Sequence, residues 1–232
     1  MINKIALALD LSTKEEIEIL INQLNPQPQI FKIGFQAIYS LGLFECLRLV
    51  NNLAPHSDIF LDLKLHDIPN TVSQAVQSLS KVSELYKIKY LTIHALGGSK
   101  MLSESSKVSE GKINLIAVTV LTSHSEEDIQ HDLGLPLDKL SMKLAENAHQ
   151  AGIEWLVSSA HECKNLKNKF SDMKIITPGI RPEVNSGNNG DQSRVMTPKQ
   201  ALEDGADIMV IGRPIYKSDN PQKVWSQVLE NH

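Results

Sequence analysis

Ile59-Phe60-Leu61-Asp62-Leu63-Lys64-Leu65-His66-Asp67-Ile68-Pro69-Asn70-Thr71 is the stretch whose reading decides the fold. From Ile59 to Leu65 it reads as a strand that is apolar except at Asp62 and Lys64. Strand side chains alternate between faces, so these two charges project one way while Leu61, Leu63 and Leu65 project the other. Pro69 ends the strand pattern and suits a first helical turn, where its fixed φ and missing N–H do no harm. Asp67 then lies in the short link just past the strand. On a half-exposed edge strand, Asp62 and Lys64 would be a solvated pair of little consequence. The third charge, and neighbours that read as buried, argue instead for a compensated cluster at a functional site, because an ion among buried groups is costly unless paired.

The pattern repeats on both sides of this stretch. Ile5 to Leu9 is an apolar run ending in Asp10, and Ile30 to Gly34 is another with the lone Lys32 inside it. Tyr90 to Ala95, Leu115 to Leu121, Trp155 to Ser159, Lys174 to Ile180 and Asp207 to Arg213 complete a set of eight strands. Helical spacing fills the gaps. Ser12 or Thr13 with Glu15 or Glu16 marks a start before Ile17, Leu20, Ile21 and Leu24. One helix is expected over about 35–53, another with Val72, Ala75, Val76 and Leu79 inward, and a third after Gly97-Gly98-Ser99. A longer insertion follows strand five, before a helix of about 137–151; Leu166 and Phe170 form the inner face of the next, and a closing helix covers about 221–229. The strand starts average about 29 residues apart, which suits βα units of roughly 30 residues. Eight alternating units with no interior linker predict a single (β/α)8 barrel over residues 1–232. A doubly wound open sheet is the structural alternative.

Composition excludes several classes. A chain that is 41% hydrophobic and 22% charged has ample material for one core. A net charge of −4 provides no basic footprint for nucleic acid, and no aromatic platform offsets that. Cys46 and Cys163 stand without metal or redox spacing and read as buried small hydrophobes in a reducing compartment. The N-terminal apolar run meets Asp10 too early for a signal peptide, and no span approaches the roughly 18 apolar residues of a membrane helix. A cytoplasmic protein is the expectation. There is no P-loop, G-x-G-x-x-G or H-E-x-x-H pattern. His66 and His94, the histidines nearest the charged stretch, are isolated in sequence and read as orienting or packing groups rather than metal ligands.

In barrels of this kind the active site lies at the C-terminal ends of the strands. Asp10, Lys32, Asp62, Lys64, Asp67, Thr122, Arg181 and Arg213 all fall at or near such an end. Pro178-Gly179-Ile180-Arg181-Pro182 follows strand seven and Ile211-Gly212-Arg213-Pro214-Ile215 follows strand eight, where this fold often builds a phosphate site. Glycine lets the backbone approach an anion and arginine grips it bidentately, so the paired loops point to a phosphorylated ligand. Between them, Pro182 to Met196 is rich in Asn, Gly and Ser, is long for a connection in a compact domain, and reads as a closing lid.

These residues resemble the bacterial-type orotidine 5′-phosphate decarboxylase family along the whole chain. The shared strings are A-L-D at Ala8 to Asp10, F-K-I-G at Phe31 to Gly34 and F-L-D-L-K-L-H-D-I-P-N-T from Phe60 to Thr71. V-T-V-L-T-S from Val118 to Ser123, P-G-I-R from Pro178, Asp191-Gln192 and G-R-P-I from Gly212 continue the match. The resemblance implies a decarboxylation of orotidine 5′-phosphate to uridine 5′-phosphate in pyrimidine synthesis, with no cofactor and no metal. It implies that Lys32, Asp62, Lys64 and Asp67 form an alternating charge network with Lys64 as proton donor. It also implies a homodimer in which Asp67 and Thr71 reach the neighbouring subunit's site. Asp10, Lys32, Ile68, Thr71, Thr122, Ser123, Pro178, Arg181, Gln192, Gly212 and Arg213 would contact the substrate. The nearest rival is a magnesium-dependent relative such as 3-keto-gulonate 6-phosphate decarboxylase, which shares D-x-K-x-x-D but needs a further carboxylate where this chain has Lys32. A non-catalytic phosphate-ligand module on the same scaffold is the rival from another class.

Overall fold

The structure, a computed structural model, describes residues 2–182 and 196–230. Eight parallel strands close into a barrel in chain order: β1 (Ile5–Ala8), β2 (Ile30–Ile33), β3 (Asp58–Leu65), β4 (Ile88–His94), β5 (Asn114–Val118), β6 (Trp155–Val157), β7 (Lys174–Thr177) and β8 (Ile208–Ile211). β1 pairs with both β2 and β8, which excludes the open doubly wound sheet.

The period of two along each strand sorts the core into two parts. Ala6, Ile30, Phe60, Tyr90, Ile116, Trp155, Ile176 and Ile208 fill the barrel interior. Their neighbours of opposite parity, such as Leu7, Phe31, Ile59, Leu61 and Leu91, face outward into the layer shared with the helices. Both faces of every strand are thus covered, which is why these strands read as continuous apolar runs. Lys32 and Asp62 share the inward parity of Ile30 and Phe60, one step nearer the C-terminal mouth.

The helices follow the sequence cues with one correction. Thr13 caps Lys14–Gln23, and its side chain and that of Glu16 bond reciprocally to each other's backbone N–H. The single helix expected over about 35–53 is instead two, Phe35–Leu41 and Leu43–Leu53, divided at Gly42. Gly42 has a φ of 89°, where a residue with a Cβ would be strained. The insertion after β5 contains the helix Glu126–Leu133 before Leu137–Gln150. β5 to β8 stop earlier than the apolar runs suggest, so Thr122-Ser123, Pro178 to Arg181 and Gly212-Arg213 lie beyond the strand ends. Pro178 has no N–H to continue a ladder. Cys46 and Cys163 are both buried and unpaired as disulfides. Among the described residues no helix is long and apolar enough to cross a membrane.

Candidate active site

The irregular part of β3 shapes the site. Leu61 pairs with Leu91 and Leu65 with Ile93, so three residues of β3, Asp62 to Lys64, stand opposite Thr92 alone. To absorb the excess the chain turns back at Lys64, whose φ of 43° is left-handed. For a residue with a side chain that conformation costs about 1–3 kcal/mol and persists only when its surroundings hold it. The holding group is Thr92: its hydroxyl oxygen accepts the Lys64 N–H at 2.8 Å and donates to Asp62 Oδ1 at 3.1 Å.

Four side chains from three adjacent strands then form an alternating row. Lys32 Nζ lies 3.0 Å from Asp10 Oδ1 and 3.4 Å from Asp62 Oδ2, and Lys64 Nζ lies 2.7 Å from Asp62 Oδ1. Burial disfavours the charged form of Asp62 more than any other single influence. Lys32 and Lys64, with hydrogen bonds from Lys64 and Thr92, together outweigh it and hold the carboxyl below its ordinary range. Burial likewise opposes the Lys32 ammonium, but Asp62 and Asp10 together raise its pKa above the usual lysine value. Lys32 and Asp62 are therefore both ionised throughout the neutral range. Gly34 leaves room beside the row, since a Cβ there would sit 3.1 Å from Lys32 Nζ and 3.3 Å from Asp10 Oδ1 and would press on both side-chain ends.

The row forms one wall of a cavity of about 360 Å³ at the barrel mouth. Asp10, Lys32, Asp62, Lys64, Thr122, Ser123, Pro178, Arg181, Gly212 and Arg213 all line it, over apolar surface from Ala8, Val118, Val157 and Val210. A continuing recess runs past Arg213 towards Phe35, Tyr216 and Lys217. The combined space is thus lined by a fixed charge row and by two guanidinium groups, an arrangement suited to a ligand that carries both a polar ring and an anion.

Three of the expected residues do not line this cavity within one chain. Asp67, Ile68 and Thr71 are exposed on the rim after β3, with Ile68 at 65% exposure, and Asp67 Oδ1 accepts its neighbour's Ile68 N–H at 2.6 Å. Gln192 lies outside the described residues, as does most of the expected lid. Its two roots are joined, because the Arg181 N–H donates to the Met196 carbonyl at 3.0 Å beside the Ile180–Met196 bridge. The His66 and His94 rings stack at 5.2 Å, and His94 Nδ1 accepts the Leu96 N–H. Burial, reinforced by His66, Lys64 and His124, pushes the His94 pKa down to about 4, leaving that ring neutral at pH 7.

Two participants escaped the sequence reading. Phe35 presents its ring 5.9 Å from Lys64 Nζ, and Thr92 pins the β3 irregularity. Thr92 left one trace, a hydroxyl at an inward position between Leu91 and Ile93.

Known proteins match the chain over nearly its whole length. The model of the Orotidine 5'-phosphate decarboxylase / HUMPS family matches residues 3–228. The chain is 40% identical over 235 residues to an orotidine 5'-phosphate decarboxylase of Psychromonas ingrahamii, covering 98% of this chain and 96% of that one. It is 39% identical over 230 residues to one from Streptococcus suis, with 97% and 95% covered. The crystal structure of orotidine 5'-phosphate decarboxylase from Lactobacillus acidophilus superposes with a TM-score of 0.80 at 30% identity, covering 98% of each chain. With the match running from β1 into the last helix, and with the charge row and both arginine loops inside it, the chain belongs to the orotidine 5'-phosphate decarboxylase / HUMPS family.

Proposed function

We propose that this chain decarboxylates orotidine 5′-phosphate to uridine 5′-phosphate and carbon dioxide in pyrimidine biosynthesis, without metal or organic cofactor, with Lys64 as proton donor. The observation that carries the reading is the Asp10–Lys32–Asp62–Lys64 row, which presents an ammonium to a cavity that Arg181 and Arg213 also line. In the reaction the bond between ring carbon and carboxylate breaks, carbon dioxide leaves, and the electron pair stays on a ring carbon that delocalises it poorly. A fixed ammonium beside that carbon stabilises the developing anion and then transfers Nζ–H to it. Asp62 keeps the Lys64 side chain aimed, and water reprotonates the amine after turnover.

The family also contains chemistry that runs through a metal-held enediolate, which needs a carboxylate where this chain carries Lys32. An ammonium already bound to Asp10 and Asp62 repels a divalent ion and occupies the oxygens that would ligate it. This favours the metal-free reading.

Arg181 and Arg213, with Gln192 and the Gly212 backbone, hold the phosphate, while Asp10, Lys32, Thr122, Ser123 and Pro178 surround ribose and pyrimidine. Binding free energy from the remote phosphate lowers the barrier by driving closure over the ring. A second copy of the chain completes the site. Asp67, Ile68 and Thr71 sit exposed beside the mouth, next to exposed Phe35 and Leu96 after the flanking strands β2 and β4. Docked against the partner's mouth, Asp67 supplies Lys64 with a second carboxylate beside Asp62, and Ile68 and Thr71 close over the substrate.

Loss of orotidine 5′-phosphate absorbance, followed with purified protein with and without a chelator, tests this. Undiminished turnover in chelator is expected. Activity that disappears on chelation would overturn the metal-free reading, and no turnover in either case would overturn the assignment.

A further inference from the structure

We infer that Thr92 is a positioning residue for the reaction, setting where the Lys64 ammonium stands by pinning both the backbone and, through Asp62, the side chain of Lys64. The inference rests on the proposed role of Lys64 as proton donor.

Thr92 is fully buried, and it reaches no space a substrate would occupy, since the cavity wall is made by its neighbours. Whatever it does, it does through other groups. Its hydroxyl has one proton to donate and lone pairs to accept with, and the structure uses both capacities in a fixed direction. The Lys64 N–H donates to Thr92 Oγ1 at 2.8 Å, and the Thr92 O–H donates to Asp62 Oδ1 at 3.1 Å. The same Asp62 oxygen takes the Lys64 ammonium at 2.7 Å. Backbone and side-chain tip of one lysine are thus tied to one carboxylate oxygen, one end directly and the other through Thr92.

The closed loop has a purpose that the register explains. With three residues of β3 facing Thr92 alone, the Lys64 N–H has no place in the regular ladder, and a left-handed φ of 43° is not a conformation lysine adopts unaided. A buried N–H needs a partner, and here a side-chain hydroxyl stands in for a strand carbonyl. Without it the segment either keeps an unsatisfied donor or relaxes towards regular strand geometry, which moves the Lys64 Cα and swings the ammonium away from the ring carbon. The phosphate contacts, and those of Asp10, Thr122 and Ser123, come from other strands and do not depend on this pin. The expected signature is therefore a loss in kcat with KM preserved.

The test compares Thr92→Val, which keeps shape but loses the hydroxyl, with Thr92→Ser, which keeps the hydroxyl. A loss of kcat of about 10- to 100-fold is expected for Thr92→Val, the usual scale of a misplacement near 1 Å. KM and the Kd for uridine 5′-phosphate should stay within about threefold, and Thr92→Ser should restore kcat to within about threefold of wild type. In a Lys64→Ala background, Thr92→Val should add nothing, because its effect is exerted through the missing amine. Wild-type kcat in Thr92→Val, equal losses in Val and Ser, or full additivity with Lys64→Ala would each overturn the inference. If Thr92→Val does not fold, Thr92→Ala takes its place against Thr92→Ser, and failure of both to fold would show a structural role alone and overturn it too. A near-wild-type Lys64→Ala would instead overturn the proton-donor reading beneath it, so the two failures are told apart.

Discussion

Replacing Lys64 by alanine removes the group on which the proposed chemistry depends while leaving its surroundings intact. Asp62 keeps two partners, Lys32 at 3.4 Å and the Thr92 hydroxyl at 3.1 Å, so no carboxylate is stranded. The left-handed backbone is no harder for alanine than for lysine, since both carry a Cβ. The Lys64 side chain is 30% exposed, so little packing is lost. An ammonium about 3 Å from a developing anion, in surroundings of effective dielectric near 20, stabilises it by about 5.5 kcal/mol. At about 1.4 kcal/mol per factor of ten, its loss lowers kcat by about four orders of magnitude, before counting the missing proton donor. Initial rates from the absorbance decrease of orotidine 5′-phosphate give kcat, and titration with uridine 5′-phosphate gives an affinity expected within about tenfold of wild type, since phosphate and ribose contacts remain. Turnover within tenfold of wild type would refute the reasoning, because some other group would then have to supply both the charge and the proton.

Further outcomes follow from the same geometry. Arg213→Ala should lower kcat/KM for orotidine 5′-phosphate by roughly 10- to 150-fold, the scale of a hydrogen bond to a charged group, and leave kcat/KM for phosphate-free orotidine unchanged; equal losses on both substrates would sink the phosphate assignment. If Asp67 acts across a dimer, Lys64→Ala and Asp67→Ala proteins, each inactive alone, should recover activity when unfolded and refolded together, because one of the hybrid's two sites is then native; no recovery in a mixed dimer would count against a shared site. Thermal melts should show opposite edges in pH. The lowered Asp62 pKa contributes stability that is fully present above the unfolded carboxylate value of about 3.9 and lost as pH falls through the folded value. The raised Lys32 pKa contributes stability that is fully present below about 10.4 and lost as pH rises through its folded value. Between pH 5 and about 9 neither group should change Tm; a melting temperature that tracks either group inside that window would contradict an ionised Asp62–Lys32 pair.

The sequence by itself determined the barrel and most of the site, because both depend on local periodicity. Eight apolar runs at near-regular spacing, each needing cover on both faces, have few arrangements other than a closed parallel sheet wrapped in helices. Parity already put Asp62 and Lys64 on one face of their strand, and Pro178 and Gly212 stood in the loops after strands seven and eight. What only tertiary structure decided was register. The run from Asp62 to Lys64 reads as a plain alternating strand, yet it bulges three against one because its neighbour β4 presents Thr92 there. Nothing within β3 announces that Lys64 is left-handed, since the hydroxyl that stabilises it lies 28 residues away. The same holds for the 2.7 Å and 3.4 Å pairs that keep Asp62 ionised. Hydrophobic pattern is written residue by residue along a chain, whereas a hydrogen bond between strands exists only after the barrel has closed and fixed which residue stands opposite which.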